Sequence, residues 1–269
     1  MIDSHAHIDF PAFDDDREEV LARARQRGVE AIITVGIDVP SSRVSLQIAQ
    51  QHPGVFTAIG FHPHQASALQ EGDLSQLAEL ANDSKVVAIG EIGLDLFRRV
   101  SPHQRQVEAF QQQLDLAVEL GLPVIIHCRN AHKEVLDILS RWVGSISPAA
   151  SNSRRLGVIH CFSGDTRLAE RYIELGFLVS LPGSVTYPSA RDKVAVARQL
   201  PLGKLLVETD SPFLAPQLHR GKRNEPSYIP LIVDKIAQIK EIPVETVAQA
   251  TAENTVRLFH LPCCEEVSC

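Results

Sequence analysis

Six side chains sit where short apolar runs end, and all six are imidazoles or carboxylates. They are His5 and His7 in MIDSHAH, Glu91 in VVAIGE, His127 in PVIIHC, His160 in LGVIHC and Asp210 in KLLVETD. These are the side chains that hold divalent metals of the zinc or manganese type. In extended backbone, residues two apart share a face, so His5 and His7 can reach one ion. Asp3 and Asp9 share their parity if the strand continues. Glu91 closes an apolar run, where an unpaired buried charge is costly, so a cationic partner is expected. A carboxylate can lend one oxygen to each of two cations, which an imidazole cannot do. Gly90 and Gly93 leave the backbone around it room. Asp210 can bind a metal and take a proton from water. The chemistry these residues spell is metal-assisted hydrolysis.

Neighbouring residues extend the site. Glu208 shares the facing of Asp210, and Asp95 follows Glu91 at the same parity; both are expected to orient ligands. His62 in GFHPH, Arg129, and the turn at Ser163 and Gly164 lie where substrate would be met. Arg98, Arg99, Arg220, Lys222 and Arg223 fall in loops beyond strand ends and are expected near flanking phosphates. Cys128 and Cys161 follow the two histidines at the opposite parity, and read as small packed hydrophobes.

Bringing His5 and Asp210 together requires a particular architecture. Apolar runs at 2–5, 31–36, 55–60, 86–91, 123–127, 157–160, 177–181 and 204–208 read as strands. Amphipathic stretches at 17–28, 41–52, 73–82, 102–120, 131–142, 165–175 and 189–200 alternate with them, and 230–240 and 244–259 follow the last strand. Ser41, Ser101 and Asp165 suit helix caps, Pro102 a first helical position, and Gly28, Gly121 and Gly176 helix stops. Such alternation predicts a parallel sheet wrapped by helices, and eight strands is the count that closes a (β/α)8 barrel. The fold class expected is therefore α/β: one TIM-type barrel, slightly modified, with extra C-terminal helices. In such a barrel all strand carboxyl ends open on one face, where active sites are built. The segment 144–155 precedes a strand and is expected as a surface loop on the opposite side. The barrel is expected to occupy residues 1–262, with a polar tail at 263–269.

Composition narrows the class. The chain has 269 residues, 44% hydrophobic and 22% charged, with a formal net charge of -7. That charge argues against a protein that coats nucleic acid non-specifically. It leaves room for a nucleic-acid enzyme, because bound metals supply local positive charge. Of five cysteines, Cys263, Cys264 and Cys269 crowd the tail without the spaced pairs of a zinc site. No secretory signal opens the chain, and no apolar run approaches the ~18 residues a membrane span needs, so a cytoplasmic protein without membrane contact is expected.

The runs DSHAHID, GFHPH, GEIGLD, PVIIHCRNA, VIHCFSG, LVETDSPFLAP and RGKRNEPSYIP together resemble the TatD family of metal-dependent deoxyribonucleases, among the amidohydrolase-like barrels. The resemblance spans nearly the whole chain, and LDLF is similar to the YjjV-like branch. It implies two divalent ions (zinc, magnesium or manganese): one on His5, His7, Glu91 and Asp210, the other sharing Glu91 and adding His127 and His160. It places His62 on the substrate phosphate, with Arg129 and the segment from Arg220 through Lys222 to Asn224 nearby. It implies DNA as substrate, single-stranded or at 3' ends, cleaved in the manner of a 3'-5' exonuclease, with no obligate protein partner. Where the family carries an aromatic pair after GLD, this chain has Leu96 and Phe97. The residues alone leave three other classes open: a hydrolase of small amides, esters or lactones, an aminoacyl-tRNA deacylase, and a non-catalytic metal-dependent binder.

Overall fold

The computed structural model describes residues 1–146 and 156–262. Eight parallel strands pair in sequence order: β1 (Ile2–Ala6), β2 (Ala31–Val35), β3 (Val55–Ile59), β4 (Val86–Asp95), β5 (Val124–Arg129), β6 (Gly157–Ile159), β7 (Phe177–Leu181) and β8 (Leu205–Val207). Closure comes from a parallel bridge between Ala6 and Ser211, just beyond β8. The expected (β/α)8 barrel is present. Its outer layer comprises α1 (Arg17–Gln26), α2 (Val39–Gln51), α3 (Asp73–Leu80), α4 (His103–Leu120), α5 (His132–Ser145), α6 (Thr166–Glu174) and α7 (Arg191–Gln199). Two further helices, α8 (Ile229–Lys240) and α9 (Val244–Phe259), follow the last strand.

Two apolar layers hold the barrel. Every strand contributes to the interior cluster: Ile2, Ile33, Phe56, Val87, Ile125, Val158, Leu178 and Leu206 are among its members. Leu258, Phe259 and Leu261 from the end of α9 join it. Asn254 donates to the Leu205 carbonyl (2.9 Å) at the start of β8, so α9 seals the amino-terminal end of the barrel. The alternate strand residues, such as Ile32, Ile59, Ile126 and Val179, pack outward against the helices. With one end plugged and the walls covered, the carboxyl ends of the strands are left for chemistry.

Several boundaries differ from expectation, each for a local reason. Helix α2 starts at Val39, capped by Asp38; Ser41 is the reciprocal member of that capping box. Ser101 is not a cap: its hydroxyl donates to His64 O (2.8 Å) and accepts from Ser67 N (3.1 Å), and Pro102 itself occupies the cap position of α4. Asp165 caps α6 through Leu168 N (2.9 Å), and Gly121 ends α4 in the left-handed region, both as expected. Helix α5 continues to Ser145, so Gly144 is helical; the rest of the anticipated loop, at 147–155, and the cysteine-rich tail lie outside the described residues. Among the described residues, no helix is long and apolar enough to cross a membrane.

Candidate metal centre

Strand β1 does not alternate as a simple strand. Its pairing with β2 shifts register between Asp3 and Ala6. Ser4 reaches across the interior to Ser180 Oγ (3.3 Å), and the next residue, His5, also faces inward, 3.3 Å from His7 between their Nε2 atoms. The irregularity turns Asp3 away from the cluster, contrary to the parity expectation. Asp3 instead accepts from Thr209 N (2.9 Å) and Thr209 Oγ1 (2.5 Å), tying β1 to the segment after β8. Burial pushes its carboxyl up to about 7 against those hydrogen bonds. Asp9 likewise stays out, accepting from Thr34 Oγ1 at 3.3 Å.

Asp210 is brought to the histidines by the closing bridge. Its N–H donates to His5 O (2.9 Å), His7 N–H donates to Ser211 O (2.7 Å), and its φ of 56° swings the side chain inward. Asp210 Oδ1 lies 3.9 Å from His5 Nε2 and 3.6 Å from His7 Nε2.

Glu91 stands between two donor sets. One register shift precedes it along β4, between Val86 and Ala88 against β3, and a second spans it, between Ile89 and Ile92 against β5. Such irregularities re-aim side chains near active sites. Gly90 is needed for close approach, because a Cβ there would sit 2.6 Å from that of Ile125; one on Gly93 would collide with the His127 carbonyl. Glu91 Oε2 faces His5 and His7 Nε2 at 3.4 and 3.6 Å. Its other oxygen, Oε1, faces His127 Nδ1 at 2.5 Å, His160 Nε2 at 2.7 Å and His62 Nε2 at 3.6 Å.

Outer partners face the ring nitrogens that His7, His127 and His160 turn away from Glu91. His7 Nδ1 donates to Val35 O (2.9 Å), leaving Nε2 to the cluster. Asp95 Oδ2 lies 3.4 Å from His127 Nε2 and Glu208 Oε1 3.5 Å from His160 Nδ1, on the sides of those rings away from Glu91. Carboxylates behind ligating histidines orient the ring and raise its basicity. Asp95 also accepts from Phe97 N and Arg98 N, so it both orients and caps. His62 differs. Its Nδ1 accepts from His64 N (3.0 Å), so the neutral ring carries its proton on Nε2 and presents a donor.

The donor set fits divalent cations. Among the described residues, the Asp210 carboxylate accepts no hydrogen bond, and burial together with Glu91 and Glu208 holds it well above the usual range. Burial pushes His5 down to about 4, so its ring stays neutral, as a ligand must. Burial alone would raise Glu91, but His160, His62 and His127 around it hold it well below the ordinary range. One carboxylate therefore lacks a hydrogen-bond donor, while Glu91, against burial, raises the proton affinity of His127 and His160. Cations at these positions relieve both conditions.

The expected substrate contacts scatter. Arg129 is exposed, with its guanidinium 4.2 Å from the Phe97 ring centroid, and Arg220 stacks similarly over Tyr187 at 4.7 Å. Lys222 is exposed in the loop after β8. Asn224 corrects the expectation: it is fully buried, and its Nδ2 donates to Thr209 O (2.7 Å) and Phe213 O (2.5 Å), bracing the loop after β8. Arg223 is likewise occupied, pairing with Asp16 at 2.6 Å. Cys128 is buried as expected, whereas Cys161 is only half-buried because its φ of 46° breaks the alternation. Sequence reasoning passed over Phe10 and Phe213, whose rings lie 4.7 and 6.3 Å from that of His7. The available signal was an aromatic residue in the loop directly after a ligand.

A closed (β/α)8 barrel with histidines and carboxylates converging at its strand ends defines a metal-dependent hydrolase of the amidohydrolase-like kind. The chain belongs to the family described as TatD related DNase, whose model matches residues 2–260. It is 40% identical over 261 residues to the metal-dependent hydrolase YabD of Bacillus subtilis (strain 168), covering 97% of this chain and 99% of that protein. It is 36% identical over 267 residues to the 3'-5' ssDNA/RNA exonuclease TatD of Pectobacterium parmentieri (strain WPP163), covering 97% and 100%. The crystal structure of YjjV, a TatD homologue from Escherichia coli K12, matches with a TM-score of 0.89 at 35% identity, covering 97% of this chain and 98% of that one.

Proposed function

We propose that this chain is a two-metal phosphodiesterase that removes nucleotides from the 3' end of single-stranded DNA or RNA. The observation that carries the reading is the position of Glu91, one oxygen toward His5 and His7, the other toward His127 and His160. One cation would be held by His5, His7, Asp210 and Glu91, the second by Glu91, His127 and His160. When bound, such a pair of divalent ions polarises the phosphodiester, activates water and offsets charge on the attacking and leaving oxygens. The name of the Pectobacterium relative supports the substrate class.

The chain's own residues do the rest. Asp210, in the mouth of the barrel, is placed to receive the proton of the attacking water. His62 donates from Nε2 to a non-bridging phosphate oxygen, a role its fixed tautomer suits. Asp95 and Glu208 hold His127 and His160 in register. Arg129, Arg220 and Lys222, exposed around the mouth, meet the flanking phosphates. A cytoplasmic setting suits the free thiols Cys128 and Cys161.

The test uses metal-stripped protein resupplied separately with Mg²⁺, Mn²⁺ or Zn²⁺. Substrates are 5'-labelled and 3'-labelled single strands, a blunt duplex, and a panel of small esters and amides. Stepwise shortening of the 5'-labelled single strand is expected. Ester or amide turnover without any nucleotide release would transfer the site to a small-molecule hydrolase.

A further inference from the structure

Exposed apolar side chains are unevenly placed. Phe97, Val100, Phe213, Leu214 and Leu218 all belong to the loops that follow β4 and β8; the other large ones among the described residues, Val44, Val118 and Val244, lie on helices. Phe97 is 59% exposed and Phe213 50%. Large apolar side chains left exposed in loops at strand carboxyl ends stand where ligands of such barrels are met. The same two loops are cationic: neither 96–102 nor 211–224 contains an acidic residue, and besides Arg223, which Asp16 pairs, they hold Arg98, Arg99, Arg220 and Lys222. In a chain of net charge -7 that concentration is selective.

Both aromatic rings are tethered to the metal centre from opposite sides. Phe97 N–H donates to Asp95 Oδ1 (2.9 Å), and the other Asp95 oxygen faces His64 (2.9 Å) and His127 (3.4 Å). The Arg129 guanidinium backs the Phe97 ring at 4.2 Å. Phe213 N–H donates to Asp210 O (2.9 Å), and its ring stands 5.9 Å from Phe10 and 6.3 Å from His7. One ring thus adjoins the His127 and Glu91 side, the other the His7 and Asp210 side. Aromatic faces interleaved with cations are the recognition surface of unpaired nucleotides, with bases on rings and phosphates on Arg and Lys.

We propose that Phe97 and Phe213 are base-stacking platforms on either side of the scissile phosphate, and that they make unstacked single strands the preferred substrate. Inside a duplex both faces of a base are covered by its neighbours, and only the outer face of the terminal pair is free. The proposal rests on the nuclease reading above.

The experiment measures cleavage of a single-stranded oligonucleotide and of the same strand with abasic tetrahydrofuran residues at its last two 3' positions. The enzymes are wild type, Phe97→Ala, Phe213→Ala and the matching Phe→Trp variants, all in metal-reloaded form. On the normal strand, each Phe→Ala change is expected to raise KM about tenfold, at the low end of one base–aromatic stack, with kcat within about twofold. Phe→Trp should restore KM. On the abasic strand, wild type itself should show the raised KM, and the alanine changes should add nothing. Variants that keep the wild-type KM, or that lose equally on both strands, overturn the platforms while leaving the nuclease reading standing. Failure of wild type to release nucleotides from either strand removes that reading and the platforms with it.

Discussion

Replacing Glu91 by glutamine should empty both halves of the metal centre at once. The change keeps shape but removes the charge and one of two oxygens, which face His5 and His7 at 3.4 and 3.6 Å and His127 and His160 at 2.5 and 2.7 Å. A ligand present at 100 times its Kd stabilises the folded state by about 2.7 kcal/mol, so two such ions contribute about 5 kcal/mol. At roughly 2–4 °C per kcal/mol for a domain of this size, wild type should gain about 10–20 °C in Tm on metal loading. Loss of a partner behind a metal ligand already costs about 10–100-fold in affinity, and loss of a ligand should cost at least the upper figure. A 100-fold loss at each site leaves ion and Kd about equal, worth about 0.4 kcal/mol apiece, so the gain shrinks to about 2–3 °C. The assay pairs thermal unfolding, with and without EDTA, with metal content by elemental analysis at fixed free metal. A Glu91→Gln protein that retains one metal at wild-type affinity would falsify the shared-ligand geometry. One that retains both would place the ions elsewhere.

Asp210→Asn should fold normally yet lose about 10²–10⁴-fold in kcat, the usual worth of a proton acceptor; circular dichroism and kcat measured together check this, and wild-type turnover would remove Asp210 from proton transfer. Asn224→Ala should act on stability: the buried Thr209 carbonyl and the part-buried Phe213 carbonyl lose their donor, costing about 1–3 kcal/mol by urea titration. A raised KM without destabilisation would return Asn224 to the substrate. Acid should loosen the junction between α1 and the loop after β8. The Arg223 hydrogen bond holds the Asp16 carboxyl below its ordinary 3.8, and Arg23 holds Glu225 below 4.5 despite burial that pushes it up. Depressed carboxyls contribute stability above their unfolded values and lose it as pH falls through the folded ones. Tm should therefore hold above about pH 5 and decline below it, and an Arg23→Met, Arg223→Met protein should show a shallower acid slope in the same pH series.

Most of the architecture is legible because helix and strand periodicity are local. The run VVAIG ending in Glu91, or PVII ending in His127, is marked as strand by its own β-branched residues and dated by the turn that follows. The same locality explains the misses. Ser41 looks like a cap until Asp38 is seen to complete the box three residues earlier. Arg223 reads as a substrate group from its charge in a strand-end loop, and Asn224 from the family resemblance; their use as braces depends on Thr209, Phe213 and Asp16, contacts that neither signal contains.

The identities of the candidate ligands, their place at strand ends and the parallel barrel all follow from residue type and spacing along one chain. Which of them meet depends on departures from regular pairing that period-two counting does not contain. The register shift in β1 sends Asp3 outward and both histidines inward, those in β4 aim Glu91 between two histidine sets, and the left-handed turn at Asp210 joins the last strand's acid to the first strand's histidines. Each is set by neighbouring strands and by closure of the barrel, hence by contacts far apart in sequence. The strand-end histidines and acids are written locally; their convergence on Glu91 is a property of the closed sheet.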